Sequence, residues 1–377
     1  MRVGVLGGGQ LGRMLALAGY PLGVRFRHLG SAQDTSAGEV AEQVTAAYED
    51  TEALRRFSDG LDVVTYESEN VPVDAARRLA EHVEIQPSLA ALETSQDRLS
   101  EKLAFAQLGI PTAPYAQVDS FEQLQDAAAR TGYPSVLKTR RMGYDGKGQF
   151  VLRREDELQM AWERLGASGL ILEGLVPFDR EVSILAVRGK QGETKFYPLI
   201  ENHHADGILR ASYAPAPDTH PDMQAIAEDY AMRVLDSTDY VGVLAIELFQ
   251  VGGQLIANEM APRVHNSGHW TIEGAATSQF ENHVRAILGF PLGDTTPIGH
   301  SAMVNLIGVM PPTAHLLEMG GHLHLYGKSA RPGRKLGHIN VRGDDARAVK
   351  LQAEKIRGEL LDLSKAERKP HAIFYED

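Results

Sequence analysis

Val241-Gly242-Val243-Leu244-Ala245-Ile246-Glu247-Leu248-Phe249-Gln250, then Val251-Gly252-Gly253, then Gln254-Leu255-Ile256-Ala257-Asn258-Glu259-Met260: two apolar runs meet at a glycine pair. A Gly-Gly step between strand-like runs signals a hairpin. Folding it sets Glu247 on one strand near Asn258 and Glu259 on the return. Glu247 sits inside the run Val243 to Leu248, where a charge without a partner is costly. A hairpin with a solvated acidic face is the competing reading. Two carboxylates and an amide oxygen suit Mg²⁺, a hard cation that keeps water and phosphate oxygens as its other ligands. Glu247 and Glu259 are therefore candidate metal ligands.

Upstream, three glycines surround a lysine in Gly143-Tyr144-Asp145-Gly146-Lys147-Gly148-Gln149. Such a loop is not a Walker A motif, but its N–H groups and ammonium can close over phosphates. Lys138 ends the strand-like Pro134-Ser135-Val136-Leu137-Lys138, so two cations converge on one anion; a solvated hairpin is the alternative. Glu173-Gly174-Leu175-Val176 ends another strand, where backbone groups can imitate a base-pair edge, and Glu181 can accept from a ribose hydroxyl. Downstream of the hairpin, Arg263, His265, Asn266 and His269 belong to a polar loop suited to substrate contact; a zinc site there lacks a third ligand. His203-His204, ahead of Asp206-Gly207, is equally poor as a metal site. Lys328, Arg331, Arg334 and Lys335 cluster around Pro332-Gly333, a pattern that suits a phosphate monoester or, alternatively, a solvated basic turn. Gly7-Gly8-Gly9-Gln10-Leu11-Gly12 fits G-x-G-x-x-G between a strand and a helix, a place for an anion. No acid ends the second strand, and Asp34 lies beyond it, which argues for a substrate phosphate or a tight turn over NAD.

The chain's 377 residues exceed the size of a single core, so two or three domains sharing an interface are expected. Alternating strands (Arg2 to Leu6, Val24 to Leu29, Asp62 to Tyr66) and the helix Gln10 to Ala18 predict a parallel sheet covered by helices. A charged amphipathic run, Asp97 to Leu108, opens a second region. Ser120 and Gln123 can cap a helix there, and strands are expected at Phe150 to Leu152, Leu170 to Glu173, Glu181 to Val187 and Lys195 to Leu199. The tail from Pro291 reads as a small third domain. With 43% hydrophobic and 23% charged residues the composition is ordinary for a globular protein. A net charge of -12 argues against nucleic acid and anionic membranes as partners. The absence of cysteine excludes disulfides, thiolate metal sites and cysteine nucleophiles. Neither a signal-peptide core nor a membrane-length apolar stretch is evident, so a cytoplasmic location is expected.

Lys138, the glycine loop, Glu173 to Val176, Glu181, Glu247 and Asn258-Glu259, in this order, resemble the ATP-grasp fold. Within it, GGGQLGRM, GYDGKGQ, NEMAPRVHNSGHWT and RPGRKLGHIN resemble the N5-carboxyaminoimidazole ribonucleotide synthetase family over essentially the whole chain. The resemblance implies an α/β and α+β chain with a Rossmann-like parallel-sheet domain (1–95), an ATP-grasp domain (96–290) with a lid at about 112–175, and a small C-terminal domain (291–377). It implies a homodimer that uses ATP, Mg²⁺ (Mn²⁺ as an alternative), bicarbonate and 5-aminoimidazole ribonucleotide. By motif position, ATP falls to Arg98, Lys138, Gly143, Tyr144, Asp145, Gly146, Lys147, Gly148, Gln149, Glu173, Gly174, Leu175, Val176, Glu181, His204, Asn258 and Glu259. Lys147, Arg263, His265 and Asn266 become the catalytic candidates. Gln10, Lys328, Arg331, Arg334 and Lys335 become the contacts for the ribonucleotide phosphate. A formate-dependent glycinamide ribonucleotide ligase, an NAD-dependent dehydrogenase and a nucleotide-sensing module are the alternatives.

Overall fold

A computed structural model describes residues 1–30, 36–143, 146–166 and 169–367; Asp34, Tyr144 and Asp145 lie outside the described residues. Three sheets organise them. The first is parallel, in the order Glu42–Thr45, Arg25–Gly30, Arg2–Leu6, Val63–Tyr66. Its central strands are apolar without alternation (Val3, Val5, Leu6, Val63, Val64) because helices cover both faces, as parallel sheets require. The flanking helices include Gln10–Gly19 and Thr51–Ser58, the latter capped by Asp50, whose carboxylate accepts from the Ala53 N–H at 2.9 Å.

The second sheet is antiparallel and has nine strands. Its path runs Gln254–Ala261, Gly242–Val251, Arg180–Arg188, Ile200–Ala205, Ile208–Ala214, His300–Ile307, Lys335–Gly343, His322–Leu325, and Thr194–Phe196 pairs with Arg180–Arg188. Both faces of its centre are buried, and alternate residues sort between them. Val182, Ile184, Leu244 and Ile246 pack with the helix Pro221–Ser237, whereas Leu185, Val187, Val243 and Ala245 pack with Gln279–Leu288. The second cluster also contains Val3, Met14 and Phe26, so the parallel sheet and the large sheet share one continuous core. The tail's strands extend the large sheet through the pairing of Ile208–Ala214 with His300–Ile307.

A third, smaller sheet runs Tyr115–Val118, Leu170–Gly174, Ser135–Thr139, Gln149–Leu152. Helices Phe121–Thr131 and Leu158–Leu165 bury Leu124, Leu137, Leu152 and Leu172 beneath it. Ser120 caps the first of these, while the Gln123 side chain accepts from the Asp119 N–H instead of closing the box on Ser120. One expectation fails locally. The strand expected at Lys195 to Leu199 ends at Phe196, and the ladder resumes as a hairpin turning at Asp206-Gly207. Both turn residues have positive φ, +55° and +72°, which an Asp-Gly pair tolerates.

Candidate active site

The three sheets enclose one cavity of about 720 Å³. Each contributes chemistry: Gly9, Gln10 and Glu67 from the parallel domain, Lys138 and Gln149 from the small sheet, and Glu247, Asn258, Glu259 and Arg263 from the hairpin side, with Lys328 and Lys335 from the tail.

One end is apolar. Val136, Val151, Leu175, Phe178 and Phe249 line it, and the two phenyl rings stack at 4.8 Å with 10° between planes. At its border the Lys138 ammonium lies 3.1 Å from Glu173 Oε2. Burial alone would raise the Glu173 carboxyl, but Lys138 and Lys102 outweigh it and hold the carboxyl below its ordinary range. The N–H groups of Gly174 and Leu175 donate to the carbonyls of Pro114 and Pro134 at 2.8 and 3.2 Å. The expected base-edge donors at these two positions are thus engaged within the protein. Glu181 faces His204, with Oε2 2.6 Å from Nδ1. Burial lowers the His204 pKa, yet Glu181 and the nearby carboxylates raise it more, so it stands above its ordinary value.

At the centre the hairpin turns over Gly252-Gly253 and sets Glu247 directly opposite Glu259, with a bulge beside them. Glu259 accepts from Arg98 at 2.8 Å, and Glu247 lies 3.2 Å from His265 Nε2. Burial opposes ionisation of Glu247, but the His265 hydrogen bond overrides it and pulls the carboxyl down to about 2. Asn258 Oδ1 is buried without a hydrogen-bond partner among the described residues. Two ionised carboxylates and an orphaned amide oxygen form a donor set that fits a hard divalent cation. Arg263 grips Glu69 at 2.6 Å, and Asn266 exchanges amide hydrogen bonds with Asn305 at 3.2 and 2.7 Å.

At the far end Lys328 donates to the Gln10 amide oxygen, and Lys335 lines the wall. Arg331 and Arg334 are not among the lining residues; the Arg334 guanidinium turns to Ser329 Oγ at 2.8 Å. The glycine loop after the first strand already holds an anion. Glu67 accepts from the N–H groups of Gly9 and Gly12, the latter at 2.7 Å, and a Cβ at Gly7 (φ +116°) would overlap its side chain. In the other glycine loop Gly143, Gly146 and Gln149 line the cavity; Lys147 is exposed outside that set, and the Gly148 carbonyl accepts from the Thr139 N–H. A Cβ on Gly146 would lie 3.0 Å from the Asp206 carbonyl oxygen, so the loop approaches the hairpin turn at Asp206-Gly207.

Residues 1–96 match the ribonucleotide synthetase preATP-grasp domain, 103–280 the ATP-grasp domain, and 301–352 the phosphoribosylaminoimidazole carboxylase C-terminal domain. The N5-carboxyaminoimidazole ribonucleotide synthase of Pseudomonas aeruginosa is 52% identical over 357 residues, 94% of this chain and 98% of that one. The chain belongs to the N5-carboxyaminoimidazole ribonucleotide synthase family. The N5-carboxyaminoimidazole ribonucleotide synthetase of Thermus thermophilus superposes with a TM-score of 0.90 at 58% identity, over 94% of this chain and 97% of that one. The Aspergillus clavatus synthase in complex with ADP and 5-aminoimidazole ribonucleotide superposes at 0.89 with 32% identity, over 96% and 98%. This synthase-family chain therefore has the ATP-grasp fold behind an N-terminal parallel-sheet domain.

Sequence reasoning missed Glu67, Glu69, Phe178 and Phe249 in this site. A signal for the two acids exists: they follow the buried strand Val63–Tyr66, and ligand crevices open at the carboxyl ends of parallel strands. Phe178 and Phe249 carry no such signal, because single aromatics have no spacing to read.

Proposed function

We infer that the chain joins bicarbonate to the exocyclic amine of 5-aminoimidazole ribonucleotide at the expense of ATP, releasing ADP and phosphate. The observation that carries this reading is the pairing of Glu247 with Glu259 across the hairpin, above a cavity with cations at both ends. The apolar end with Phe178 and Phe249 suits a base, Lys138 and Arg98 the phosphates beside it, and Lys328 and Lys335 a second phosphate at the opposite end.

Bicarbonate is a poor electrophile because its carbon is electron-rich and hydroxide leaves badly. In the proposed route a bicarbonate oxygen attacks the γ-phosphorus, the bond to the β-phosphate oxygen breaks, and ADP leaves carboxyphosphate behind. The amine then takes the carboxyl carbon, phosphate departs, and the nitrogen loses a proton. Glu247, Glu259 and Asn258 are assigned to hold Mg²⁺, which supplies charge neutralisation on the phosphoryl oxygens. Lys138 adds positive charge on the same oxygens, and Lys147 joins it from the loop. Arg263, His265 and Asn266, tied to Glu69, Glu247 and Asn305, are held in fixed orientations that suit them to position bicarbonate. Carboxyphosphate hydrolyses in water, so closure of the 143–149 loop is assigned the exclusion of solvent.

The family's place in purine synthesis supports a cytoplasmic location, and the resemblance to the synthetase family supports a homodimer. No helix among the described residues is long and apolar enough to cross a membrane. The test is ADP release with ATP, Mg²⁺ and bicarbonate, with and without 5-aminoimidazole ribonucleotide. Strong dependence on the ribonucleotide is expected; release that needs formate and glycinamide ribonucleotide instead would overturn the reading.

A further inference from the structure

The strand that carries Asn258 and Glu259 is the edge of the large sheet. An edge strand leaves one row of N–H and C=O groups without a ladder partner. Here the helix Arg98–Gln107 covers that edge, and it does so with two buried polar side chains, Glu101 and Lys102. Glu101 Oε1 accepts from the Met260 N–H at 2.6 Å. The Lys102 ammonium donates to the Asn258 carbonyl at 2.6 Å and reaches the Ala257 carbonyl at 3.5 Å. The Ala257 N–H donates to the Pro111 carbonyl at 2.7 Å. The backbone from 257 to 260 is clamped from one side.

The same ammonium lies 3.4 Å from Glu173 Oε2, the oxygen that also holds Lys138 at 3.1 Å. An ammonium carries three donors, and Lys102 meets three oxygens. Its side chain is 1% exposed and that of Glu173 is 4% exposed. Charges this deep cost more than apolar residues of like size would, so packing alone does not account for them. What they add is a rigid link between the metal-bearing edge and the residue beside the nucleotide's apolar pocket.

We propose that Glu101 and Lys102 are positioning residues that set the register of Asn258 and Glu259 against Lys138, and so the distance between the metal and the phosphates of ATP. The inference rests on the reading of Glu247 and Glu259 as metal ligands. Neither residue touches substrate in this role; each acts through the backbone of the ligand-bearing strand. A shift of about 1 Å at such a site can cost about a hundredfold in rate.

The test is steady-state ADP release by the full chain with ATP, bicarbonate and the ribonucleotide, across a Mg²⁺ series. Lys102→Met is expected to raise the KM for ATP and the half-saturating Mg²⁺ by about tenfold or more, and to move the KM for ribonucleotide less than about threefold. Lys102→Arg, which keeps the charge and donors, is expected to restore most of the loss. A fall in kcat that leaves every KM and the Mg²⁺ requirement unmoved, in step with a lower Tm, would assign Lys102 to folding alone and overturn the inference. If Lys102→Met does not accumulate folded, Glu101 decides. Glu101→Gln keeps an oxygen for the Met260 N–H and should stay near the wild-type Mg²⁺ requirement, whereas Glu101→Ala should raise it; identical behaviour of the two sinks the idea. Glu259→Gln separates the levels of the argument. Normal turnover there removes the metal reading and this inference with it, while abolished turnover there beside an unmoved Mg²⁺ requirement in Lys102→Met removes the inference alone.

Discussion

Lys328 and Lys335 line the cavity while Arg331 and Arg334 of the same basic stretch do not, and the difference is one of side-chain direction. The residues around Pro332-Gly333 form a turn, which has no helical or strand period from which an inward face can be read. The cluster was legible; its members' roles were not. Lys335→Ala is therefore expected to raise the KM for ribonucleotide about tenfold or more with little effect on the KM for ATP, and Arg331→Ala to change either by less than about threefold. Equal effects of the two substitutions on ribonucleotide KM would return both residues to the phosphate site. For Glu67 only its place after a buried parallel strand was a signal; its role was hidden because its partners, the N–H groups of Gly9 and Gly12, lie 58 and 55 residues away. Glu67→Ala leaves those half-buried donors without a protein acceptor, at a cost of about 1–3 kcal/mol in all. Urea midpoints of the two proteins check it, and an unchanged midpoint would show that water replaces the carboxylate.

Among elements, the hairpin at Gly252-Gly253 and the helix after Ser120 were readable because each carries its own local chemistry, a glycine-pair turn and a side-chain cap. The hairpin at Asp206-Gly207 carries an equally good turn signal, yet the histidines and glutamate on its strands broke the apolar alternation that would have flagged it. The merging of the tail into the large sheet has no local signal at all, since it depends on which strand edges meet in space. The start of the helix Arg98–Gln107 combines local and distant effects. Asp97 caps it through the N–H groups of Leu99 and Ser100, and its carboxylate also takes two hydrogen bonds from Arg140 at 2.9 and 2.7 Å, at the end of a strand of the small sheet. One residue thus fastens the helix that carries Arg98 to the sheet that carries Lys138. Asp97→Asn keeps an acceptor for the cap but loses the charge that holds Arg140. It is expected to preserve most of the stability while raising the KM for ATP severalfold, whereas Asp97→Ala loses about 1–2 kcal/mol as well. A KM for ATP that stays at the wild-type value in both variants would confine Asp97 to capping.

At the scale of the whole molecule, the parallel domain and the large sheet meet through a shared core, and a single buried histidine stitches their ladders together. The Val243 N–H donates to His283 Nδ1 at 3.1 Å, so that nitrogen is an acceptor, and the proton on Nε2 faces Thr65 Oγ1 at 2.9 Å. Protonating Nδ1 would break the first contact, and burial accordingly pushes the ring's pKa down from 6.5 to about 3. His28, packed beside the first glycine loop, is pushed down by burial to about 4. Each has a folded pKa below its unfolded one, so its contribution to stability is complete above pH 6.5 and is lost as the pH falls from there towards the folded value. The slope is about 1.4 kcal/mol per pH unit for each ring. Carboxylates held low, such as Glu247 at about 2, add their own loss only once the pH drops below 4.5. Glu101, which burial raises to about 8, works in the opposite sense and offsets about one ring. Burial holds His269 and His338 well below 6.5 as well, so between pH 6.5 and 4.5 the histidines dominate and urea midpoints should decline through that window. His283→Gln, which can still accept from Val243 and donate to Thr65, is expected to lower stability at neutral pH by about 1 kcal/mol and to flatten the acid slope by one group's share. A variant as steep as the wild type through that window would show that the joint between the two domains does not carry the linkage.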